Sequence, residues 1–243
     1  MIHNSVSYSI VGWCGIAGGI DTQRDWSLWA QNKLRLHPVL PIPQLETIPP
    51  RISRRLDNLG RCVMSACEQC LPLIETEPAI ISVSRHGDLP AMDKLIQCAR
   101  EREDISPTAF TYSVHNRFSS LISMIAGYHG VNGAYSSVRD GFPLVLAEAT
   151  ALIAENPALQ VLVVAYEPEI PEVYHQVIST PWLPHIVAFV LQGTNGTEPK
   201  YSLAHYANPA PGAPGSGSCL PLIRTMLNKE NYRDGFWEHQ YVG

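Results

Sequence analysis

The sequence predicts an α/β domain in which strands are layered with helices, and three observations support this. Residues 159–166 (LQVLVVAY) are apolar on both faces, which is typical of a strand in the middle of a sheet that is covered on both sides. Short apolar segments alternate along the chain with segments of helical periodicity. A late pair of strand-like segments, 185–192 and 200–206, follows. One layered domain is therefore expected.

The N-terminal part combines a strand, a proline-rich loop and two helical segments. Residues 7–17 (SYSIVGWCGIA) predict a first core strand, and 25–31 (DWSLWAQ) predict a short helix. The next segment, 37–50, contains five prolines, which prevent regular structure and predict an exposed loop. Apolar residues then recur three and four positions apart over 51–74, which predicts one long amphipathic helix.

Strands and helices continue to alternate in the second half of the chain. The pattern predicts, in order, a strand at 78–83, a helix at 88–102, a strand at 133–139 and a helix at 142–154. The tail, 207–243, has no clear assignment beyond a last short helix at 219–228.

Composition argues against two classes of partner. The chain has 243 residues, of which 17 are basic and 22 acidic, and no basic block could neutralise a phosphate backbone. We therefore expect no nucleic acid partner. No apolar run approaches the ~20 residues that a membrane span needs, and the first residues lack the charged region of a signal peptide. A cytoplasmic protein is expected.

The six cysteines are expected to be reduced thiols, because a chain of this length in a reducing compartment needs no disulfide framework. Cys67 and Cys70 form a CxxC, but they lie within a helical pattern and no second ligand pair follows at zinc spacing. The sequence predicts neither a metal site nor a cofactor.

Residues 106–133 (SPTAFTYSVHNRFSSLISMIAGYHGVNG) carry the most specific pattern in the chain. A Ser-Pro is followed by an Asn, a helix, a Gly and a Gly-x-x-Gly that precedes a strand. These landmarks are Ser106, Pro107, Asn116, Gly127, Gly130 and Gly133. Their order and spacing resemble those of the beta-ketoacyl synthases, and the resemblance extends over residues 6–192.

The resemblance implies the thiolase-like fold of ketosynthases, of which this chain supplies the N-terminal half. We therefore expect a mixed five-stranded sheet layered with helices. Residues 1–243 would form one truncated domain, with a core at 6–192 and a tail of uncertain structure at 207–243. The two catalytic histidines that ketosynthases carry in their second half have no evident counterpart. His205 and His239 match no family motif, and surface positions are expected for both.

The catalytic nucleophile is also missing from the pattern. Ketosynthases place a cysteine at the turn from strand to helix, where the helix N-terminus lowers the thiol pKa. Counting from Gly133, that position falls at Phe142 in this chain, and none of the six cysteines lies between Asp104 and Leu159. A phenyl ring cannot attack a thioester, so we expect a subunit without catalytic residues of its own.

By resemblance, the chain is similar to the chain-length factors that form heterodimers with a full-length ketosynthase, and a short form of this kind resembles that of aryl polyene clusters. It would shape the partner's acyl tunnel during polyketide synthesis, with acyl carrier protein in the complex. Two alternatives stay open: an active beta-ketoacyl synthase or acyltransferase with an unrecognised nucleophile, and a module that binds acyl carrier protein alone.

Two groups of candidate site residues follow from the resemblance. The expected tunnel and gate residues are Arg85, His86, Phe110, Tyr112, Phe118 and Met124. For the two phenylalanines and the methionine, plain core packing is an equal alternative. The strand before the nucleophile position would pair with the partner. The expected interface residues are Thr108, Ala109, Ala134, Tyr135, Ser136, Ser137 and Val138.

Overall fold

Eight strands form one mixed sheet in the computed structural model, which describes residues 2–178, 183–194, 200–208 and 216–243. The sheet order is β3-β2-β4-β5-β1-β6-β8-β7. The strands are β1 (Ile2–Ala17), β2 (Ala79–Ser84), β3 (Asn132–Ser136), β4 (Val161–Glu167), β5 (His185–Gln192), β6 (Lys200–Tyr206), β7 (Tyr232–Asp234) and β8 (Trp237–Tyr241).

The sheet changes from parallel to antiparallel at β4. β3, β2 and β4 run parallel, whereas β4 pairs antiparallel with β5, which in turn pairs antiparallel with β1. All seven residues of β4 are buried, so the prediction of a central strand there is confirmed. The late strands β5 and β6 are not neighbours, because β1 lies between them.

Helices cover both faces of the sheet, as the α/β class requires. One face packs against α1, α7 and α8, and the other against α3 and α6. Alternate residues of each inner strand pack into the hydrophobic cores on the two faces of the sheet. Ile81 lies in the core beneath α1, α7 and α8, and Ile80 lies in the core beneath α3 and α6. The helices are α1 (Gln23–Ala30), α2 (Pro50–Ser53), α3 (Asn58–Cys70), α4 (Leu89–Glu101), α5 (Pro107–Ser113), α6 (Arg117–Ala126), α7 (Gly141–Glu155) and α8 (Leu220–Asn228).

The predicted helix over 51–74 is divided in two, so that prediction is wrong. α2 ends at Ser53 and α3 begins only at Asn58. Asp57 is the N-cap of α3: its backbone is extended, and its carboxylate accepts a hydrogen bond from the Gly60 N–H at 2.8 Å. A capping residue cannot be helical itself, so the cap requires the break.

The proline-rich loop 37–50 is mostly exposed, as predicted, but two of its apolar side chains are buried. Leu40 and Ile48 are each only 5% exposed. Glu68 on α3 holds the loop against the helix, because its carboxylate accepts hydrogen bonds from the N–H groups of Thr47 and Ile48, the latter at 2.9 Å, and from the Thr47 hydroxyl at 2.8 Å. Prolines prevent regular structure here without preventing burial.

Two predictions for the C-terminal part also need correction. In the described part of the chain the sheet has eight strands, not the predicted five. One reason is the length of β1, which is 16 residues. Its residues 9–17 pair with β5, and its residues 2–9 pair with β6. Of the unassigned tail, 209–215 lie outside the described residues. Residues 216–243 contain α8, which confirms the predicted last helix, and the antiparallel pair β7–β8, which extends the sheet from β6.

His239 is fully buried on β8, whereas a surface position was expected. The alternation of a strand turns its ring inward, where it lies 6.3 Å from the Phe142 ring, centroid to centroid. Neither ring nitrogen has a hydrogen-bond partner among the described residues, and burial lowers the pKa of the imidazole to about 3. His205 on β6 is only half-buried, with its ring against Phe236 and Trp237.

Replacing His239 by leucine is expected to stabilise the protein. Leucine has a similar volume and removes two buried unpaired nitrogens, so we expect a gain of about 1 kcal/mol or more at pH 7. The folded-state pKa lies below the ordinary value of 6.5, so the stability of the neutral form is present above pH 6.5 and is lost as pH falls toward 3. The gain should therefore be larger at pH 5, as measured by urea unfolding at both pH values.

His205→Leu is the matched control and should change the free energy of unfolding little, because its ring is only half-buried. A His239→Leu variant that is less stable than the native protein at pH 5 would contradict this interpretation.

Candidate functional site

The segment 85–88 connects the carboxyl end of β2 to α4 and needs a glycine. Gly87 has a φ of +68°, and a Cβ there would meet the His115 ring at 2.7 Å, so both backbone and packing exclude a larger residue. Asp88 then caps α4 by accepting a hydrogen bond from the Ala91 N–H at 3.1 Å. The loop is thus fixed at both ends.

Arg85, a predicted gate residue, is buried at the end of β2 with 7% exposure. Its Nε lies 3.8 Å from the Glu167 carboxylate, and its backbone N–H donates to the same group at 3.2 Å. Burial lowers the pKa of Arg85 to about 10 and raises the pKa of Glu167 to about 8. His86 is half-buried, and desolvation together with the Arg85 charge lowers its pKa.

An ion cluster, buried at Arg117 and Asp88 and partly exposed at Asp57, joins the N-terminal ends of three helices. Arg117, at the start of α6, contacts the Asp57 carboxylate at 2.7 Å and the Asp88 carboxylate, and these two aspartates cap α3 and α4. The guanidinium also lies over the Tyr112 ring at 3.9 Å and near the Phe118 ring at 4.7 Å. Burial raises the pKa of Asp88, against the effect of Arg117.

A groove of about 560 Å³, here called the α2–α6 groove, lies between α2 and the α5–α6 pair. Of the predicted tunnel residues, Tyr112 and Met124 line it, and so does the predicted interface residue Thr108. The rim carries the exposed side chains of Arg51 and Arg55. Its apolar lining includes Ile52, Leu56, Val114 and Leu121.

The other predicted tunnel and helix residues lie elsewhere. Phe118 is fully buried, with its ring edge-on to Tyr166 at 4.8 Å in the core. Phe110 is an exposed residue of α5. Ala109 lines a different cavity, of about 350 Å³, on the side of α5 that faces Asp88. Arg85 and His86 do not line the α2–α6 groove either, so their tunnel role stays a prediction.

The predicted interface strand is an edge of the sheet. β3 pairs with β2 on one side, and no described strand pairs with its other side. The strand begins one residue earlier and ends three residues earlier than the predicted 133–139. Ala134, Tyr135 and Ser136 belong to it, whereas Ser137 and Val138 follow it. Tyr135 and Val138 are exposed. An unpaired edge beside exposed apolar groups is the arrangement that a strand from another chain can extend.

Phe142, at the predicted nucleophile position, lies in the first turn of α7 and is 1% exposed. Its ring packs against Phe189 at 5.6 Å. Its backbone N–H, one of those at the helix N-terminus that have no intrahelical acceptor, donates to the Gly217 carbonyl at 3.1 Å. The turn is therefore filled by hydrocarbon and closed by another part of the chain.

The cysteines are free thiols, four of them buried. Burial raises the pKa of Cys62 and of Cys70 to about 12, and it raises that of Cys67 as well. Among the described residues, no group of three or more histidine, cysteine, aspartate or glutamate side chains could hold a metal ion. Nor does any helix in the described part of the chain have the length and apolar character to cross a membrane.

Sequence reasoning missed a polar cluster at the carboxyl edge of β2 and β4. Glu167 ends β4, and His185 begins the neighbouring β5, where the two residues are paired across the strands. The His185 Nε2 accepts a hydrogen bond from the Ser218 hydroxyl at 3.0 Å, and its Nδ1–H donates to the Leu183 carbonyl at 2.8 Å. Charged or polar residues at the ends of otherwise apolar strands were the available signal.

Comparison with known proteins identifies the class. Residues 26–230 match the family model of the beta-ketoacyl synthase N-terminal domain, so the chain belongs to that family. The fold is accordingly the thiolase-like ketosynthase fold. No match was found among curated protein sequences.

Several solved structures are similar to this chain. The chain is 27% identical to a chain of the ketosynthase ApeO in complex with its chain length factor ApeC from Xenorhabdus doucetiae, with a TM-score of 0.82 and coverage of 97% of this chain and 99% of that one. The ishigamide ketosynthase/chain length factor matches at 12% identity and a TM-score of 0.63, over 82% of this chain and 65% of that one. A beta-ketoacyl synthase from Burkholderia phymatum STM815 matches at 11% identity and a TM-score of 0.55, over 78% and 59%.

Replacing Arg117 by methionine is expected to destabilise the protein by about 3–5 kcal/mol, because it leaves the Asp88 carboxylate buried without its cation. Arg100→Met is the matched control: that side chain is exposed at the end of α4, and we expect a change within about 0.5 kcal/mol. Urea unfolding measures both. Equal stabilities for the two variants would refute a central role for the ion cluster.

Proposed function

We propose that this chain is a non-catalytic chain-length factor that forms a heterodimer with a full-length ketosynthase and shapes the acyl tunnel of that partner in polyketide synthesis, of the aryl polyene kind. Acyl carrier protein would deliver the growing chain to the complex. The observation that carries the proposal is the turn before α7, where Phe142, the residue at the predicted nucleophile position, is a buried phenyl group. The likeness to ketosynthase and chain-length-factor complexes supports it.

The surroundings of Phe142 support the absence of condensing chemistry. Acyl transfer needs a nucleophile and an N–H group free to stabilise the developing oxyanion. Here the side chain is buried hydrocarbon, and the N–H at the start of α7 is already bonded to the Gly217 carbonyl. Neither requirement is met at this turn.

The β3 edge supports the partner interface. A matching edge strand from a ketosynthase could continue the sheet through backbone hydrogen bonds, while exposed apolar side chains such as Tyr135 and Val138 would add buried area. Backbone hydrogen bonds would set the register between the two edge strands, and the apolar side chains would provide the affinity.

The α2–α6 groove supports a role in limiting chain length. Its wall is formed by α5 and α6, the helices that precede β3 in the chain, and Met124 is a 67% exposed side chain along it. In a heterodimer through β3, a groove of this kind could receive the end of an acyl chain, and the volume of its side chains would set how far that chain grows.

A second candidate function, acyl transfer by a different nucleophile, is favoured by the Ser218–His185 hydrogen bond. The neutral imidazole accepts from the hydroxyl and is oriented by the Leu183 carbonyl, which is the arrangement of an activated serine. Mass spectrometry after incubation with acyl carrier protein thioester distinguishes the two functions. A covalent acyl group on Ser218 would establish the second; an unmodified chain supports the first.

Val138→Glu is expected to prevent heterodimer formation. It places a carboxylate on a side chain that is 55% exposed beside the β3 edge, where association would bury it without a partner. The measurement is co-purification with a co-expressed full-length ketosynthase from the same gene neighbourhood. Val177→Glu is the matched control, since that valine is 76% exposed and lies outside the predicted interface. A complex that forms equally well with both variants would argue against pairing at β3.

Met124→Trp should shorten the products of the complex without stopping turnover, because the larger ring fills part of the α2–α6 groove. Met124→Leu conserves the volume and should leave the product distribution unchanged. Chromatography of the products made by the reconstituted heterodimer gives the readout. An identical distribution for both variants would remove Met124 from the tunnel.

A further inference from the structure

A cavity of about 250 Å³, the carboxyl-edge cavity, opens where β2 ends, β5 begins and α8 starts. In open α/β sheets, the space beyond the carboxyl ends of parallel strands is where ligands commonly bind. The cavity is separate from the α2–α6 groove and shares no lining residue with it. The residues that matter for its chemistry are Arg85, His185, Ser218, Arg224 and Asp234.

The charges around this cavity favour an anion. Arg85 and Arg224 are the basic residues of its wall, and Asp234 is the acidic one. The Asp234 carboxylate accepts hydrogen bonds from the Ser216 N–H at 2.8 Å and from the Ser216 hydroxyl at 2.7 Å. Its charge favours the charged form of Arg85, so the wall holds two basic side chains against one acidic one. Behind Arg85 lies Glu167, whose carboxyl has a pKa raised to about 8 by burial.

Arg224 is held in place by neutral groups. Its Nη1 donates to the Ala30 carbonyl at 2.7 Å, and its guanidinium lies over the Trp29 ring at 4.3 Å. Within the described ranges it makes no salt bridge. A guanidinium held in this way retains further N–H donors for an oxyanion.

The remaining wall is polar but fixed. The Ser218 hydroxyl donates a hydrogen bond to the His185 Nε2. The imidazole therefore adds no positive charge that would repel the guanidinium groups, and its Nε2 does not compete with them as a donor. Burial keeps the imidazole neutral by lowering its pKa to about 4. The first residues of α8, Leu220 and Pro221, also line the cavity, which brings the positive end of that helix dipole to the same place.

We infer that the carboxyl-edge cavity binds a small oxyanion, a carboxylate or a phosphate group, between the guanidinium groups of Arg85 and Arg224. The site is independent of the proposed heterodimer, because the cavity does not include the β3 edge. It would give the chain a ligand-binding site of its own at the edge of the sheet where relatives carry out their chemistry.

The test is a titration of the purified chain with sodium phosphate and, separately, sodium acetate, at ionic strength held constant with sodium chloride. The readouts are the midpoint of thermal unfolding and the NMR signal of the Arg224 Nε–H group. Arg224→Gln removes the charge, and Arg100→Gln is the matched control on an exposed helix end. Phosphate stabilises many proteins without a site, but that effect neither saturates nor depends on Arg224.

We expect a saturable shift with at least one of the two anions, weakened about tenfold or more in Arg224→Gln and unchanged in Arg100→Gln. A response to phosphate alone assigns a phosphate ligand, and a response to acetate alone assigns a carboxylate. Equal responses of the three proteins, or no saturable response, would overturn the inference. Should Arg224→Gln fail to fold, the Arg224 signal of the native chain decides by itself: no shift refutes the site. Heterodimer formation enters none of these readouts.

Discussion

The contact of Arg117 with Asp57 and Asp88 is the constraint on which the site side of the molecule depends. Each aspartate caps a helix with its carboxylate, so the negative charges lie at the positive ends of α3 and α4. Arg117 then joins these two ends to the start of α6. Arg117 and Asp88 are both buried, and each charge would be costly to bury without the other, whereas Asp57 is partly exposed. Together they fix the relative positions of three helices, which apolar packing by itself would leave free to slide.

Two functional features follow from this cluster. The segment 85–88 ends at Asp88, so the loop at the carboxyl edge of β2 is held by the same guanidinium that holds α3. On the other side, the Tyr112 ring lies under Arg117 while its hydroxyl donates to the Arg55 carbonyl. That contact ties α5 to the chain between α2 and α3, and it thereby sets the width of the α2–α6 groove. Arg117 also lines this groove, so the ion pairs and the groove proposed to receive the acyl chain share a residue.

The parts of this structure that depend on local patterns could be predicted, and the parts that depend on distant pairs could not. Strands β2, β4, β5 and β6 were predicted from short segments of strand-like pattern, and the landmarks of 106–133 place α6 correctly between Asn116 and Gly127. The break at Asp57 was missed because periodicity continues on both sides of it, and because Arg117, which holds the capping carboxylate, is 60 residues away in the chain. His239 was placed at the surface because its burial requires β8 to pair with β6, and no local signal in a short polar strand reveals that partner.

The turn before α7, which holds the predicted nucleophile position, is packed as part of the core. A strand-to-helix turn that presents a nucleophile must keep a side chain exposed and a helix N-terminus unoccupied, and both conditions cost stability. In this chain Phe142 buries its ring against Phe189, and the Gly217 carbonyl satisfies the free N–H, so both costs are removed. Beside that ring lies the imidazole of His239, whose nitrogens have no hydrogen-bond partner in the described part of the chain. In the proposed function the chain thus keeps the geometry of a condensing enzyme because the partner needs its edge and its groove, while the former reaction site is free to become core.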